Sequence, residues 1–95
     1  ISPTKLKEAI QENPSLQLVD VRTPKEYQSG YIQAAKNIDF HSSNFVAEIS
    51  KLDKSKPIYV YCRSGMRSGK ASKQLVQAGF EEIFDLKGGY MAWNR

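Results

Sequence analysis

Residues 57–80, "PIYVYCRSGMRSGKASKQLVQAGF", decide the fold. Between Pro57 and Cys62 lies a run of four β-forming residues, too short for a buried helix and typical of a buried strand. A small polar turn follows, and it begins with the only cysteine of the chain. From about Arg67 to Ala78 the spacing of apolar residues predicts a helix, which Gly79 ends.

The same alternation of strand and helix runs through the rest of the chain. Further strands are predicted at residues 16–21, 36–40 and 82–86, and further helices at residues 3–12, 23–29, 42–52 and after residue 89. This order predicts the α/β class, with a central, mostly parallel sheet and helices on both faces. We see no linker or repeat, so residues 1–95 are predicted to be a single domain, either free-standing or one module of a longer protein.

Local signals place the ends of several helices. Ser2 is the predicted N-cap of the first helix, and Thr23 and Glu26 match a capping box that begins the second. In the third, Phe45, Val46, Ile49 and Leu52 are predicted to share one face, with Ser42 or Ser43 as the cap. We expect Glu26 to act only as the capping-box partner.

The composition narrows the range of possible functions. The 95 residues carry 14 Lys and Arg against 10 Asp and Glu, a net charge of +4, which indicates a solvated basic surface or an anionic partner. The aromatic residues are not interleaved with the basic ones, which argues against binding of nucleic acid.

The chain has one cysteine and one histidine, His41. We therefore expect no disulfide within the chain, no bound metal and no cofactor. Without a signal peptide core or an apolar membrane-length run, we expect a cytoplasmic monomer with no membrane partner.

The turn after the third strand carries the candidate chemistry. Cys62 lies at the carboxyl end of that strand, where ligands bind in open α/β sheets. Free N–H groups of the following helix, together with Arg63 and Arg67, favour a thiolate there and an anionic substrate beside it. The alternative to a catalytic role is that Cys62 is a buried structural cysteine beside a helix cap. Cys62 is thus the candidate nucleophile. The candidate substrate-binding residues are Arg63, Ser64, Gly65, Met66, Arg67 and Ser68.

These residues resemble a known family. "YVYCRSGMRSGKASKQLVQAGFEEIFDLKGGYMAW" looks like the active-site half of a single-domain rhodanese, a thiosulfate sulfurtransferase, and "LVDVRTPKEYQSGYI" looks like the family's first motif. The resemblance implies the rhodanese α/β sheet and sulfur transfer through a cysteine persulfide. Three positions depart from it: the family commonly has His at Tyr31 and Pro-Gly at Gln33-Ala34. The departures lie in a loop and bear on local packing.

Two other functions compete with sulfur transfer. Cysteine phosphatases and arsenate reductases use a loop one residue longer than the four residues that separate Cys62 from Arg67. The shorter loop suits a terminal sulfur on the cysteine better than a tetrahedral oxyanion. A non-catalytic interaction or sulfur-relay module is the other alternative, and the retained cysteine argues against it.

The expected reaction takes sulfur from a small anionic donor, thiosulfate or a small persulfide. The sulfur then passes to an external acceptor, which is cyanide, a thiol or a protein cysteine, because the chain has no second cysteine. Asp20 and Arg22 flank Val21 at the end of a predicted strand. We expect them to give structural support by tying loops together through charged hydrogen bonds.

Overall fold

The computed structural model describes residues 1–94. The chain forms four strands and five helices within this range. The strands are β1 (Gln17–Asp20), β2 (Lys36–Asn37), β3 (Ile58–Tyr61) and β4 (Ile83–Asp85). The helices are α1 (Pro3–Glu12), α2 (Pro24–Gln28), α3 (Phe45–Ile49), α4 (Met66–Gln77) and α5 (Gly89–Trp93).

The strands form one sheet in the order β2-β1-β3-β4, and every pairing is parallel. The α/β fold predicted from the sequence is therefore confirmed. At the carboxyl ends of the strands, Asp20 of β1 is the register partner of Tyr61 of β3. The loops that follow these two central strands consequently leave the sheet side by side, and the candidate residues lie in them.

Apolar side chains cover both faces of the sheet. On one face, Val19 and Val60 of the strands pack with Phe45 of α3 and Ala71 and Leu75 of α4. A second cluster includes Leu18, Tyr61 and Leu6 of α1, with partly buried Tyr27 of α2 and Trp93 of α5 around it. Burial of this apolar surface is the main force that holds the domain together, since the chain has no disulfide.

Several local predictions are confirmed. Ser2 caps α1 by accepting a hydrogen bond from the Lys5 N–H. The capping box of α2 is complete, with hydrogen bonds in both directions between Thr23 and Glu26. The chain turns at Gly30 with a φ of +146° after α2, and Gly79 has a φ of +105° after α4.

The third helix differs from its prediction. Its N-cap is Asn44 and neither Ser42 nor Ser43, because the Ser42 hydroxyl instead accepts from the Asn44 N–H in a turn before the helix. Val46 is 58% exposed, whereas we expected it on the apolar face. The helix has only five residues, and Phe45 and Ile49, four positions apart, define its buried side.

The edge strand β2 has two residues, Lys36 and Asn37, and not the five that the sequence suggested. Beyond Asn37 the chain still follows β1, because the Ile38 N–H donates to the Asp20 carbonyl at 2.9 Å. Just before β2, Ala34 has a φ of +85°, in the left-handed region that favours glycine. This is one of the two positions where the resemblance implies Pro-Gly.

Candidate active site

The turn after β3 wraps its backbone around the sulfur of Cys62. The thiol is buried, with 1% of the residue exposed. The Gly65 N–H donates to Sγ at 3.0 Å, and the Ser68 hydroxyl oxygen lies 3.5 Å from it. Gly65 has a φ of +121°, a conformation that glycine adopts without strain and that aims its N–H at the sulfur. The turn is therefore built to hold a negatively charged sulfur.

The pKa of the Cys62 thiol reflects two opposing effects. Burial raises this pKa, while hydrogen bonds from the Ser68 hydroxyl and from the N–H groups of Ser68, Gly65 and Ser64 lower it. The hydrogen bonds outweigh burial, and the pKa lies below its usual value. Our sequence reasoning assigned the stabilisation to arginines and to helix N–H groups. The structure adds the hydroxyl of Ser68, a residue that the sequence indicated for substrate binding and not for stabilising the thiolate.

Helix α5 supports the turn from the outside. The Tyr90 N–H donates to the Cys62 carbonyl at 2.8 Å, and the Met91 N–H donates to the Arg63 carbonyl at 3.0 Å. A Cβ on Gly89 would lie 2.6 Å from these same backbone atoms, so the close approach requires glycine. From the sequence we expected Tyr90 and Trp93 of this segment to cover the core, with a role at the rim of the site as the alternative; the signal for backbone support was the pair Gly88-Gly89 before a short helix.

The predicted substrate-binding side chains do not all converge on the sulfur. Arg63 and Ser64 are exposed, and Met66 is 74% exposed, so these residues contribute backbone to the turn and side chains to its rim. Ser68 is fully buried beneath the sulfur. The Arg67 side chain is 22% exposed and occupies the space between the turn and α2.

Arg67 forms a two-point ion pair with a residue 41 positions away in sequence. Its Nη1 and Nη2 donate to Oε1 and Oε2 of Glu26 at 2.7 and 3.0 Å. The hydrogen bond from Arg67 lowers the pKa of Glu26 to about 2, with further help from Thr23. The prediction that Glu26 acts only in the capping box is therefore wrong, because the same carboxylate also binds the active-site turn.

Asp20 and Arg22 form a second ion pair that is almost wholly buried. Arg22 Nη2 lies 2.6 Å from Asp20 Oδ2 and also donates to the Gly30 carbonyl at 2.6 Å. The guanidinium stacks over the Tyr90 ring at 4.5 Å. The pair thus joins the end of β1 to the turn after α2 and to α5.

A third carboxylate lies below the turn, at the end of β4. Oδ1 of Asp85 is buried and has no hydrogen-bond partner among the described residues. Burial raises the pKa of Asp85, while the Ser68 hydroxyl and the amino group of Ile1 lower it; burial prevails. The Ser68 hydroxyl thus affects the pKa of both Asp85 and Cys62.

Residues 1–94 offer neither a metal-ion site nor a membrane-spanning helix. No group of three or more His, Cys, Asp or Glu side chains is placed to hold a metal ion. No helix in this range combines the length and apolar character that crossing a membrane requires.

A parallel α/β sheet that carries a hydrogen-bonded cysteine in the turn after a central strand defines a class of domains whose chemistry depends on one thiol. Within that class, the family model described as a rhodanese-like domain matches residues 2–95. The chain belongs to this family, as its two motifs indicated.

Individual relatives agree with this assignment. The chain is 40% identical over 77 residues to the Bacillus subtilis protein YqhL, with 81% of this chain and 60% of that protein covered. It is 32% identical over 83 residues to thiosulfate sulfurtransferase GlpE of Shewanella oneidensis, with 87% and 80% covered. The crystal structure of a rhodanese-related protein from Thermoplasma volcanium has a TM-score of 0.85 and 32% identity, with 99% and 88% covered.

Proposed function

We propose that this chain is a thiosulfate sulfurtransferase that carries sulfane sulfur as a persulfide on Cys62. The observation that carries the proposal is the buried sulfur with the Gly65 N–H at 3.0 Å and the Ser68 hydroxyl at 3.5 Å. Similarity to thiosulfate sulfurtransferase GlpE of Shewanella oneidensis supports the choice of donor.

The first step is attack by the Cys62 thiolate on the outer sulfur of the donor. A bond forms between the two sulfur atoms, the sulfur–sulfur bond of thiosulfate breaks, and sulfite leaves with the bonding pair. A small persulfide reacts in the same way and releases its thiol. Arg63 at the rim and the remaining N–H groups of Arg67 hold the negative charge of the donor.

The second step passes the sulfur on. Between the steps, the N–H groups of residues 63–68 bind the terminal sulfur of the persulfide, just as those of Ser64, Gly65 and Ser68 stabilise the thiolate in the resting turn. Because the chain has no second cysteine, an external acceptor attacks that sulfur and restores the thiolate of Cys62. The acceptor is cyanide, a thiol or a cysteine of another protein.

Mass spectrometry of the intact protein after thiosulfate treatment tests the first step. We expect a gain of about 32 Da, one sulfur atom, that maps to Cys62 and disappears when cyanide is added. Cys62→Ser is the matched control, since it keeps the size of the side chain and removes the nucleophile. Absence of the adduct, or full transfer activity in Cys62→Ser, overturns the proposal.

A cyanide–thiosulfate assay separates the enzyme from a non-catalytic module, which forms no thiocyanate. In the same assay, Arg67→Ala is expected to lower thiosulfate turnover more than it lowers thermal stability. Losses of equal size in the two measurements would assign Arg67 a structural role alone.

A further inference from the structure

The charge of Arg67 is compensated before any donor arrives. Both terminal nitrogens of the guanidinium are bound to the Glu26 carboxylate, in the bidentate geometry that makes such pairs strong. The two side chains are 22% and 29% exposed, so solvent screens the pair only in part. An arginine that the sequence presents as a free cation is thus half of a neutral pair.

Glu26 cannot easily leave this position. Its Oε1 also accepts hydrogen bonds from the Thr23 N–H and from the Thr23 hydroxyl, each at 3.1 Å. These contacts anchor the carboxylate to the first turn of α2. With a pKa of about 2, the group is ionised throughout the neutral range.

The remaining charges near the sulfur leave little net attraction for a dianion. Asp20 and Arg22 compensate each other in their buried pair. Among the described residues, Arg63 is the loop arginine that forms no ion pair, and it is exposed to solvent. Glu26 is therefore the group whose negative charge offsets Arg67, and removing that charge makes the site more positive.

We propose that Glu26 sets the charge preference for the sulfur donor, and disfavours the thiosulfate dianion relative to small persulfides that carry at least one negative charge fewer. The proposal rests on the function proposed above. Glu26 is a specificity residue that acts through Arg67 and takes no part in the sulfur–sulfur exchange. Both donors deliver the same outer sulfur, and only the charge that must approach Arg67 differs.

A pair of alkylating reagents tests this charge effect independently of sulfur transfer. Iodoacetate and iodoacetamide react with the Cys62 thiolate by the same substitution and differ by one negative charge. Glu26→Gln keeps the shape of the side chain and removes its charge. We expect the iodoacetate-to-iodoacetamide rate ratio to rise about threefold at low salt. In about 0.5 M salt the rise should shrink.

Glu12→Gln is the matched control. It makes the same chemical change and the same change in net charge. Glu12, however, is exposed and lies with Gln17 and Pro57 at the amino ends of the strands, opposite to the end that carries Cys62. Its rate ratio should equal that of the unmodified sequence. Arg67→Gln removes the other partner of the pair and should lower the ratio about threefold, which keeps the proposal testable if Glu26→Gln fails to fold.

Donor kinetics complete the test. In Glu26→Gln, the KM for thiosulfate should fall several-fold more than the KM for the persulfide of 2-mercaptoethanol. An unchanged alkylation ratio, or equal KM shifts for the two donors, overturns the role of Glu26. If the unmodified protein gains no sulfur from either donor, the proposed function fails, and the alkylation ratio still decides whether Glu26 sets the charge at Cys62.

Discussion

Replacing Ser68 by alanine tests how the turn stabilises the thiolate. In the thiol form, the S–H of Cys62 donates to the Ser68 oxygen at 3.5 Å. In the thiolate form, the hydroxyl turns and donates to the sulfur. Ser68→Ala removes this hydrogen bond from a site with no exposed surface, and leaves the N–H groups of the turn in place.

The expected size of the effect follows from the contact. A hydrogen bond to a charged group contributes about 1.5–3 kcal/mol. The lower end applies here because the contact is long and because the hydroxyl also has the Gly65 carbonyl as an acceptor at 3.2 Å. About 1.5 kcal/mol corresponds to roughly a tenfold decrease in the ionisation constant of the Cys62 thiol.

The assay is the rate of Cys62 alkylation by iodoacetamide as a function of pH, since only the thiolate reacts. On the acidic side of the profile, Ser68→Ala should react about tenfold more slowly. Ser72→Ala is the control. The Ser72 hydroxyl donates to the Ser68 carbonyl at 2.8 Å, so this variant removes a hydroxyl next to Ser68 and leaves the hydrogen bond to the sulfur in place. A Ser68→Ala profile that superimposes on that of the unmodified protein refutes the reasoning, as does an equal shift in both variants.

Three further substitutions test the fold around the site. Ala34→Gly should stabilise the protein by about 0.5–1 kcal/mol in urea unfolding, because it relieves the positive φ; an unchanged midpoint contradicts this. Asp85→Asn should raise Tm near pH 7, and by a smaller amount near pH 4. Because burial raises the pKa of Asp85 in the folded state, ionisation of this carboxyl group lowers the stability of the protein as pH rises. An equal gain at both pH values would contradict it. Gly89→Ala should cost more than about 1 kcal/mol and slow Cys62 alkylation, because its Cβ would collide with the Arg63 carbonyl; a variant with unchanged stability would show that the approach is not tight.

The sequence predicted the class and the order of elements because the signals were local. A continuous run of β-formers such as residues 58–61, and a capping box such as Thr23 with Glu26, contain their information within a few positions. The predictions that are wrong depend on distant partners. The length of β2 depends on where pairing with β1 becomes irregular, and the exposure of Val46 depends on which side of a short helix meets the sheet.

At the site, the sequence indicated the turn and the charged residues Asp20 and Arg22, but not the contacts of the turn with α2 and α5. Ion pairing between Glu26 and Arg67 spans 41 positions, and the capping box already gave Glu26 a sufficient local role. The amide contacts from α5 are made by main-chain atoms, which leave no trace in side-chain chemistry. The roles of the predicted substrate-binding residues, the cytoplasmic location and the monomeric state stay predictions.

The support from α5 follows from the way the turn is built. The N–H groups of Ser64 and Gly65 point inward to the sulfur atom, and carbonyls at the start of the turn point outward to α5. The carbonyls of Cys62 and Arg63 lie against α5, and a carbonyl left unpaired on burial costs about 1–3 kcal/mol. The N–H groups of Tyr90 and Met91 satisfy both. Anything that displaces α5 therefore removes partners from these carbonyls and frees the turn to rotate its N–H groups away from the sulfur, so the Gly88-Gly89 segment belongs to the thiolate site as much as the turn itself.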